Sequence, residues 1–338
     1  MLYIFQNNIK ISTICSDSID PWYNLALEEY LLYNINDNEI ILYLWQNENA
    51  VVIGRNQNAW KECKCKKLED NGGKLARRLS GGGAVYHDLG NLNFTFIMDK
   101  NLYDLDKQLN VILQAVNRFG INAEFSGRND LTVQGKKFSG NAFYFLDKAC
   151  YHHGTILIDT DFNKLTDYLQ VSKEKIKSKG IDSVKSRVVN LSTLSSDLTI
   201  NGMKKSLLDS FKDIYGTNSD ILNKNVDSNK LKQLYDKYSS WEWRFGESPK
   251  FDITFDKRFS WGDFQLNLSL KNSRIENVKI YSDAMNSQLI QDIAMNLKNC
   301  PFKVSDIINS INDIPHDETD ESVIKDITVW LMEEFNTL

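Results

Sequence analysis

Arg77 to Phe96 reads RRLSGGGAVYHDLGNLNFTF, and much of the chain's capacity for chemistry lies in it. Three consecutive glycines, Gly81, Gly82 and Gly83, follow two arginines and precede Tyr86, His87 and Asp88. Glycine reaches positive φ and lets a backbone come close to a ligand. Successive amide N–H groups in such a loop form a concave anion site. The guanidinium groups of Arg77 and Arg78 can add fork-shaped, charge-assisted bonds to phosphate or carboxylate. A plain turn between strands is the competing reading of any glycine run. The arginines on one side and Tyr86-His87-Asp88 on the other shift the balance toward anion binding. The spacing is neither that of a Walker loop, which ends Gly-Lys-Ser/Thr, nor that of a dinucleotide fingerprint.

A second group lies in GRNDLTVQGKKFSGNAF, residues 127–143. Leu131 and Val133 read as a strand, Gln134-Gly135 as a hairpin turn, and Lys136-Lys137 as the start of the return strand. Neighbouring strand residues point to opposite faces, so one lysine enters a site and the other meets solvent. The same rule separates His152 from His153 in YHHGTILID, residues 151–159. Three of the four histidines, His87, His152 and His153, fall in these segments. A metal centre would need further ligands at suitable spacing, and none appears, so polar contacts are the better reading.

The elements that must position these residues follow from periodicity. Short strands are expected at Leu2–Phe5 and Ile9–Ile14. Asp20 and Pro21 suit the N-cap and first turn of a helix, with Leu25, Tyr30, Leu31 and Leu32 as its buried stripe and Asn24 and Glu28 sharing a face. Ile40–Trp45 and Ala50–Ile53 read as strands. A polar helix is expected over 60–70 and a strand over 74–78. Leu92, Phe94 and Phe96 alternate onto one face of a strand. Residues 104–119 form an amphipathic helix ended by Gly120, and further helices are expected over 161–169, 200–215 and 227–238. WEWRFGESPKF, residues 241–251, marks a joint with Gly246 and Pro249. Three alternating strands and two or three helices follow it. Two domains are therefore expected, 1–246 and 247–338.

Composition narrows the class. The chain has 338 residues, 42% of them hydrophobic and 25% charged, with a net charge of −5. That is ordinary for a globular protein, and the acidic balance argues against broad nucleic-acid binding. No apolar run reaches the roughly 20 residues that span a bilayer, and no signal peptide is read. Five cysteines, few and odd in number, suit a reducing cytoplasm. Cys63-Lys64-Cys65 lacks the second pair that a structural zinc site needs.

Five stretches taken in order resemble the lipoate–protein ligase family, within the biotin/lipoate ligase superfamily. They are DPWYNLA with Glu28 and Glu29, the loop at 77–96, GRNDL with KKFSGNA, HHGT, and KGIDSVKSRVVNL at 179–191. WEWRFGESPKF and FSWGDF resemble that family's small accessory domain. The resemblance implies an α+β fold: a ligase-like catalytic domain of mixed sheets with flanking helices, plus a small α/β C-terminal domain. It implies activation of lipoate by ATP to lipoyl-AMP with release of pyrophosphate, with Mg²⁺ as cofactor. The lipoyl group then passes to a lysine of a lipoyl domain in a 2-oxoacid dehydrogenase E2 subunit or the glycine-cleavage H protein. Lys137 matches the family's catalytic lysine, which also contacts ATP and lipoate. Arg78, Gly83, Ala84, Val85 and Tyr86 match its ATP-binding positions. Trp45, with Ser80, His87 and His153, is a candidate for the lipoate pocket. Asp130 is a candidate for magnesium, which typically takes one or two carboxylates plus phosphate oxygens; a turn-stabilising carboxylate is its rival role.

The chemistry fits on independent grounds. A mixed anhydride brings an anionic carboxylate against an anionic α-phosphate, and a lysine can neutralise both. Related octanoyltransferases use a cysteine shortly before the lysine motif, but INAEFSGRND, residues 121–130, contains none. Cys150 lies after the motif and reads as incidental. A biotin-type ligase would carry a Gly-Arg-Gly-Arg loop, which this chain lacks. A carrier-binding protein without activity would have little use for Arg78, the glycines and Lys137.

Overall fold

The computed structural model describes residues 9–126, 130–169, 187–216, 219–221, 226–245, 253–271 and 274–335. The expected strand at 2–5, Gly127-Arg128-Asn129, most of the 179–191 motif and the joint at 246–252 lie outside them. The chain forms two compact units. One comprises 1–52, 60–77 and 85–244; the other comprises 53–59, 78–84 and 245–338.

The first unit is built on an eight-stranded mixed sheet. Its chain order runs β1 (Lys10–Cys15), α1 (Pro21–Tyr33), β2 (Glu39–Trp45), β3 (Ala50–Ile53), α2 (Ala59–Glu62), α3 (Cys65–Asp70), β4 (Lys74–Arg77), β5 (Val85–His87) and β6 (Asn91–Asp99). It continues with α4 (Leu105–Asn117), β7 (Glu124–Ser126), β8 (Asp130–Val133), β9 (Lys136–Phe145), β10 (Ala149–Leu157), α5 (Phe162–Tyr168), α6 (Ile200–Tyr215), β11 (Ser219–Ile221), α7 (Ser228–Ser239) and α8 (Trp241–Arg244). The large sheet has the order β11-β1-β2-β6-β10-β9-β8-β7, and β4-β3-β5 form a second, small sheet. β1 runs parallel to β2 and β11, whereas β2-β6-β10-β9-β8 are antiparallel.

The two faces of the large sheet differ in chemistry because strand side chains alternate. One face carries Ile40, Leu42, Leu44, Phe94, Phe96, Cys150 and Ile156, packed against Leu109, Ile112 and Val116 of α4 and Met203, Leu207 and Phe211 of α6. The opposite face presents Tyr43, Trp45, Asn93, Thr95, His153 and Thr155, which pair across the strands in register. α1 covers part of this polar face. Its start is set by Asp20, whose side chain accepts from the Trp22 amide at 2.9 Å, and by Pro21 at the first position. The helix is buried almost continuously from Asn24 to Leu32, Glu28 and Glu29 included, rather than along a stripe. The reason is that α7 packs on its other side, where Lys237 pairs with Glu29 at 2.7 Å.

The expected helix over 60–70 divides into α2 and α3. At the break the Lys64 amide donates to the Tyr168 carbonyl at 2.8 Å and Cys63 bridges to Leu169. Backbone bonds that would have continued a helix are thus used by the end of α5.

In the second unit, β12 (Ile253–Arg258), β13 (Asp263–Lys271) and β14 (Arg274–Ser282) form an antiparallel sheet. α9 (Ser287–Leu297), α10 (Val304–Asn312) and α11 (Glu318–Phe335) complete it. Phe264, Leu266, Leu268 and Ile280 of the sheet meet Ile290, Ile293, Ile311 and Trp330 of the helices in one apolar core. Among the described residues no helix is long and apolar enough to cross a membrane.

Candidate active site

Lys137 stands near the start of β9, half-buried, while Lys136 is exposed. The strand rule thus distinguishes the two lysines as the sequence requires. The Lys137 side chain lies over Gly140: a Cβ there would sit 2.8 Å from Nζ and 2.9 Å from Cε. Its ammonium is 2.7 Å from Asp130 Oδ1 of β8, an ion pair rather than an aligned hydrogen bond. Both side chains are more than a third exposed, so water screens the pair. The Lys137 backbone is fixed separately, its amide donating to the Arg187 carbonyl and its carbonyl accepting from the Val189 amide.

The same face carries a buried polar chain. Trp45 Nε1 donates to Thr95 Oγ1 at 3.0 Å, and Thr95 Oγ1 donates to Glu28 Oε1 at 2.7 Å. His153 Nδ1 donates to the same carboxylate oxygen at 2.8 Å. All four residues are buried. A buried carboxylate requires such donors, and here two strands, β6 and β10, provide them to a carboxylate carried by α1. His87 packs edge-on to Trp45, ring centres 6.1 Å apart, and its Nδ1 lies 3.1 Å from Asn47 Nδ2. Thr155, two residues beyond His153 on β10, accepts from the Gly140 amide at 3.3 Å. The polar face thus runs from Trp45 through Thr95, Glu28 and His153 to Thr155, Gly140 and Lys137.

His152 points the other way, into the apolar core among Phe94, Phe96 and Phe143. Burial, with a smaller contribution from the charge of His153, pushes its pKa down to about 3. Its Nδ1 meets Gln108 Oε1 at 2.9 Å and its Nε2 meets Asn141 Oδ1 at 2.8 Å. A neutral ring has one donor and one acceptor, so one of these amides must present its NH₂ instead, an orientation set by the network. Cys150 is buried on the same apolar face, and burial pushes its thiol up to about 12. That is the opposite of what a nucleophilic thiol needs.

Tyr86 and Val85 lie on β5. Tyr86 is buried against Tyr168, ring centres 5.7 Å apart, and burial followed by the charge of Asp88 raises its phenol pKa. Tyr86 and Asp88 also line an open groove of about 660 Å³, together with Asp20, Asn49, Lys74 and Lys164. Neither Trp45, His153 nor Lys137 lines it.

In the second unit the glycine loop folds around Arg78. Arg78 Nε donates to Ser80 Oγ at 3.0 Å, and Nη2 donates to the carbonyls of Gly81 at 2.6 Å and Gly83 at 2.8 Å. Gly82 has φ 84°, which explains the glycine there, and its amide donates to the Ala284 carbonyl at 3.3 Å. Gly81 and Gly82 are buried, Gly83 is exposed and Ala84 is half-exposed. Any anion would therefore be met first at the Gly83–Ala84 end. Arg77, by contrast, belongs to the first unit and spends its guanidinium on the carbonyls of Trp243 and Arg244.

Sequence reasoning missed Thr95 and Asn47 beside the candidate pocket residues, and it left Glu28 without a role. The four-residue spacing of Asn24 and Glu28 held the available signal: two polar groups on one face of a largely apolar helix. Among the described residues no three His, Cys, Asp or Glu side chains are grouped to hold a metal. Asp130, a single half-exposed carboxylate, fits only an ion held largely by a ligand's own oxygens, as Mg²⁺ on phosphates is.

A family model described as the lipoyl protein ligase A/B catalytic domain matches residues 20–212, and another, the bacterial lipoate protein ligase C-terminus, matches residues 248–331. A curated relative from Blochmanniella floridana, named lipoate-protein ligase A, is 38% identical over 332 residues, covering 96% of this chain and 98% of that protein. The crystal structure of P. falciparum LipL1 in complex with lipoate is 31% identical, covers 96% of this chain and 99% of that one, and has a TM-score of 0.84. A crystal structure of lipoate-protein ligase A bound with ATP is 25% identical, covers 70% and 98% of the two chains, and has a TM-score of 0.60.

Proposed function

We propose, since this chain belongs to the lipoyl protein ligase A/B family and is a ligase, that it joins lipoate to protein lysines in two ATP-dependent steps. A carboxylate oxygen of lipoate attacks the α-phosphorus of ATP, and pyrophosphate leaves. The neutral amine of an acceptor lysine then attacks the acyl carbon of lipoyl-AMP, and AMP leaves. The acceptors are lipoyl domains of 2-oxoacid dehydrogenase E2 subunits or the glycine-cleavage H protein. Residues 1–246 form the catalytic domain and 247–338 the accessory domain.

The observation that carries this reading is the ammonium of Lys137, fixed over Gly140 at one end of a polar sheet face that otherwise has aromatic and buried polar groups. The ammonium neutralises the two anions that must meet in the first step, a role in which a pre-positioned charge is worth far more than in water. Trp45 and His153, held through Thr95 and Glu28, line the part that receives the apolar body of lipoate. Arg78, Gly83, Ala84, Val85 and Tyr86 serve the nucleotide, with Lys137, and Ser80 and His87 complete the lipoate pocket. Mg²⁺, when bound to the phosphates, offsets their charge, and Asp130 is the residue that would hold it. Release of Asp130 from Lys137 would then accompany nucleotide binding. The cysteine-dependent transfer reaction finds no support at Cys150, whose thiol is buried and held protonated.

The test is ATP–pyrophosphate exchange with lipoate, octanoate and biotin in parallel. Exchange that requires lipoate supports the reading. Acyl transfer from a carrier protein with no need for ATP would overturn it.

A further inference from the structure

Cys63 and Cys65 have no part in the reaction just described, yet the fold places them as a pair. We propose that they are a reversible oxidation site, at which a small peroxide closes an intramolecular disulfide. Lys64 between them has φ −78° and ψ 68°, the values of an inverse γ-turn. Such a turn folds residues on either side toward each other, into the Cα separation of about 4.4–6.8 Å that a disulfide spans. Cys65 Sγ lies 3.4 Å from the Cys63 carbonyl oxygen, so its side chain is already turned back over the tripeptide. The two thiols also hydrogen-bond to each other. That bond lowers the pKa of Cys65 and, with burial, raises that of Cys63, which separates an attacking sulfur from a resolving one. Both residues are buried, 1% and 3% exposed.

The steps balance. The Cys65 thiolate attacks one oxygen of the peroxide, the O–O bond breaks, and a sulfenic acid and hydroxide result; the hydroxide takes up the proton that the Cys65 thiol had released and becomes water. The Cys63 sulfur then attacks the Cys65 sulfur, the S–O bond breaks, and the departing hydroxide takes the Cys63 proton as a second water. The sulfurs lose two electrons and the peroxide gains two; two thiol equivalents reverse the change. Closing this ring draws the two sulfurs together across Lys64, whose amide donates to the Tyr168 carbonyl. Tyr168 packs on Tyr86, so the oxidised form should bind nucleotide more weakly. This last consequence rests on the nucleotide role proposed for Tyr86; the covalent change does not.

The test treats the full chain with hydrogen peroxide and reads intact mass without reductant, tryptic peptides and kinetics. The expected product has lost two hydrogens. Trypsin, cutting at Lys61, Lys64 and Lys66, should leave residues 62–64 and 65–66 joined only through sulfur. Cys63→Ser should accumulate a dimedone adduct at Cys65, and Cys65→Ser should show none at Cys63. Oxidised protein should show an apparent KM for ATP raised several-fold with that for lipoate unchanged, and dithiothreitol should restore the KM for ATP. Modification at the exposed Cys15 alone, or no linked peptide, overturns the site. A linked peptide with an unchanged KM for ATP overturns the coupling to nucleotide. Absence of any lipoate-dependent ATP turnover sinks the functional reading instead, and the linked peptide still decides the site.

Discussion

Gly140→Ala should impair adenylation without harming the fold. The added Cβ would stand 2.8 Å from Lys137 Nζ and 2.9 Å from Cε. Ordinary contact begins near ~3.5 Å, so the ammonium must retreat by roughly 0.7 Å. A misplacement of about 1 Å can cost on the order of 10²-fold in rate, so a shift of this size points to a loss of about tenfold. The backbone should tolerate the change, because Gly140 is not among the glycines at positive φ and the group that must move is the end of a flexible side chain. At such a position alanine stabilises by about 0.4–1 kcal/mol through the unfolded chain. Lys137→Ala should lose on the order of 10²–10³, as for removal of one transition-state donor. Lys136→Ala should stay near wild type, since that side chain is exposed. The assay is lipoate-dependent ATP–pyrophosphate exchange beside a thermal melt. The decisive comparison is the double variant: once Lys137 is alanine, Gly140→Ala has nothing left to displace and should cost nothing further. An equal loss in both backgrounds, or a Gly140→Ala protein with wild-type exchange, would refute the assignment of Lys137 as the charge that matters.

Trp45→Val should admit a carboxylic acid with a larger distal group and still fold, at a cost of about 3 kcal/mol or more from lost packing; unchanged acid preference in competitive exchange assays would return Trp45 to the core. His152 is held neutral with a pKa near 3, so the unfolded chain takes up its proton first, near pH 6.5. Stability should therefore fall as pH drops from about 6.5 toward 3 and level off above that range, and His152→Gln should flatten this dependence in urea titrations. Gly81→Ala would press a Cβ into the backbone carbonyls of Ala284 and Met285; a loss of about 1–3 kcal/mol is expected, read as a lowered denaturation midpoint of the full chain.

Much of the fold was legible because one rule applied repeatedly. Alternation in 92–96 and 151–159, and helical spacing in 104–119, identified β6, β10 and α4 and the faces they bury. Adjacent lysines and adjacent histidines could be sorted to opposite faces by the same rule. What could not be read was the outcome of long-range pairing. The break at Lys64 exists because Tyr168, about a hundred residues later, accepts its amide proton, and no local signal announces that. The burial of α1 on more than one side depends on α7 arriving from beyond residue 227. In sequence Glu28 only shares a helix face with Asn24, and its buried role depends on Thr95 and His153 being brought to it from two separate strands. Nor does the spacing of the glycines show that Arg78 turns back on its own loop, because that depends on the path of the chain from Gly81 to Gly83.

The histidine pair shows how one strand can present adjacent side chains to two chemically different faces. His152 and His153 are adjacent, and both are buried. His152 faces aromatic rings and two amides, and burial there holds it neutral. His153 faces Glu28 at 2.8 Å, on the face that also bears Trp45 and Thr95. A single-residue slip of β10 would exchange them, placing an imidazole against the carboxylate only by removing the other from its amides. Register is therefore specified twice, once by Gln108 and Asn141 and once by Glu28. The apolar face alone would have fixed the strand, but it could not have fixed the orientation of the imidazole ring. The polar chain does so, which is what the lipoate pocket proposed above would require of its walls.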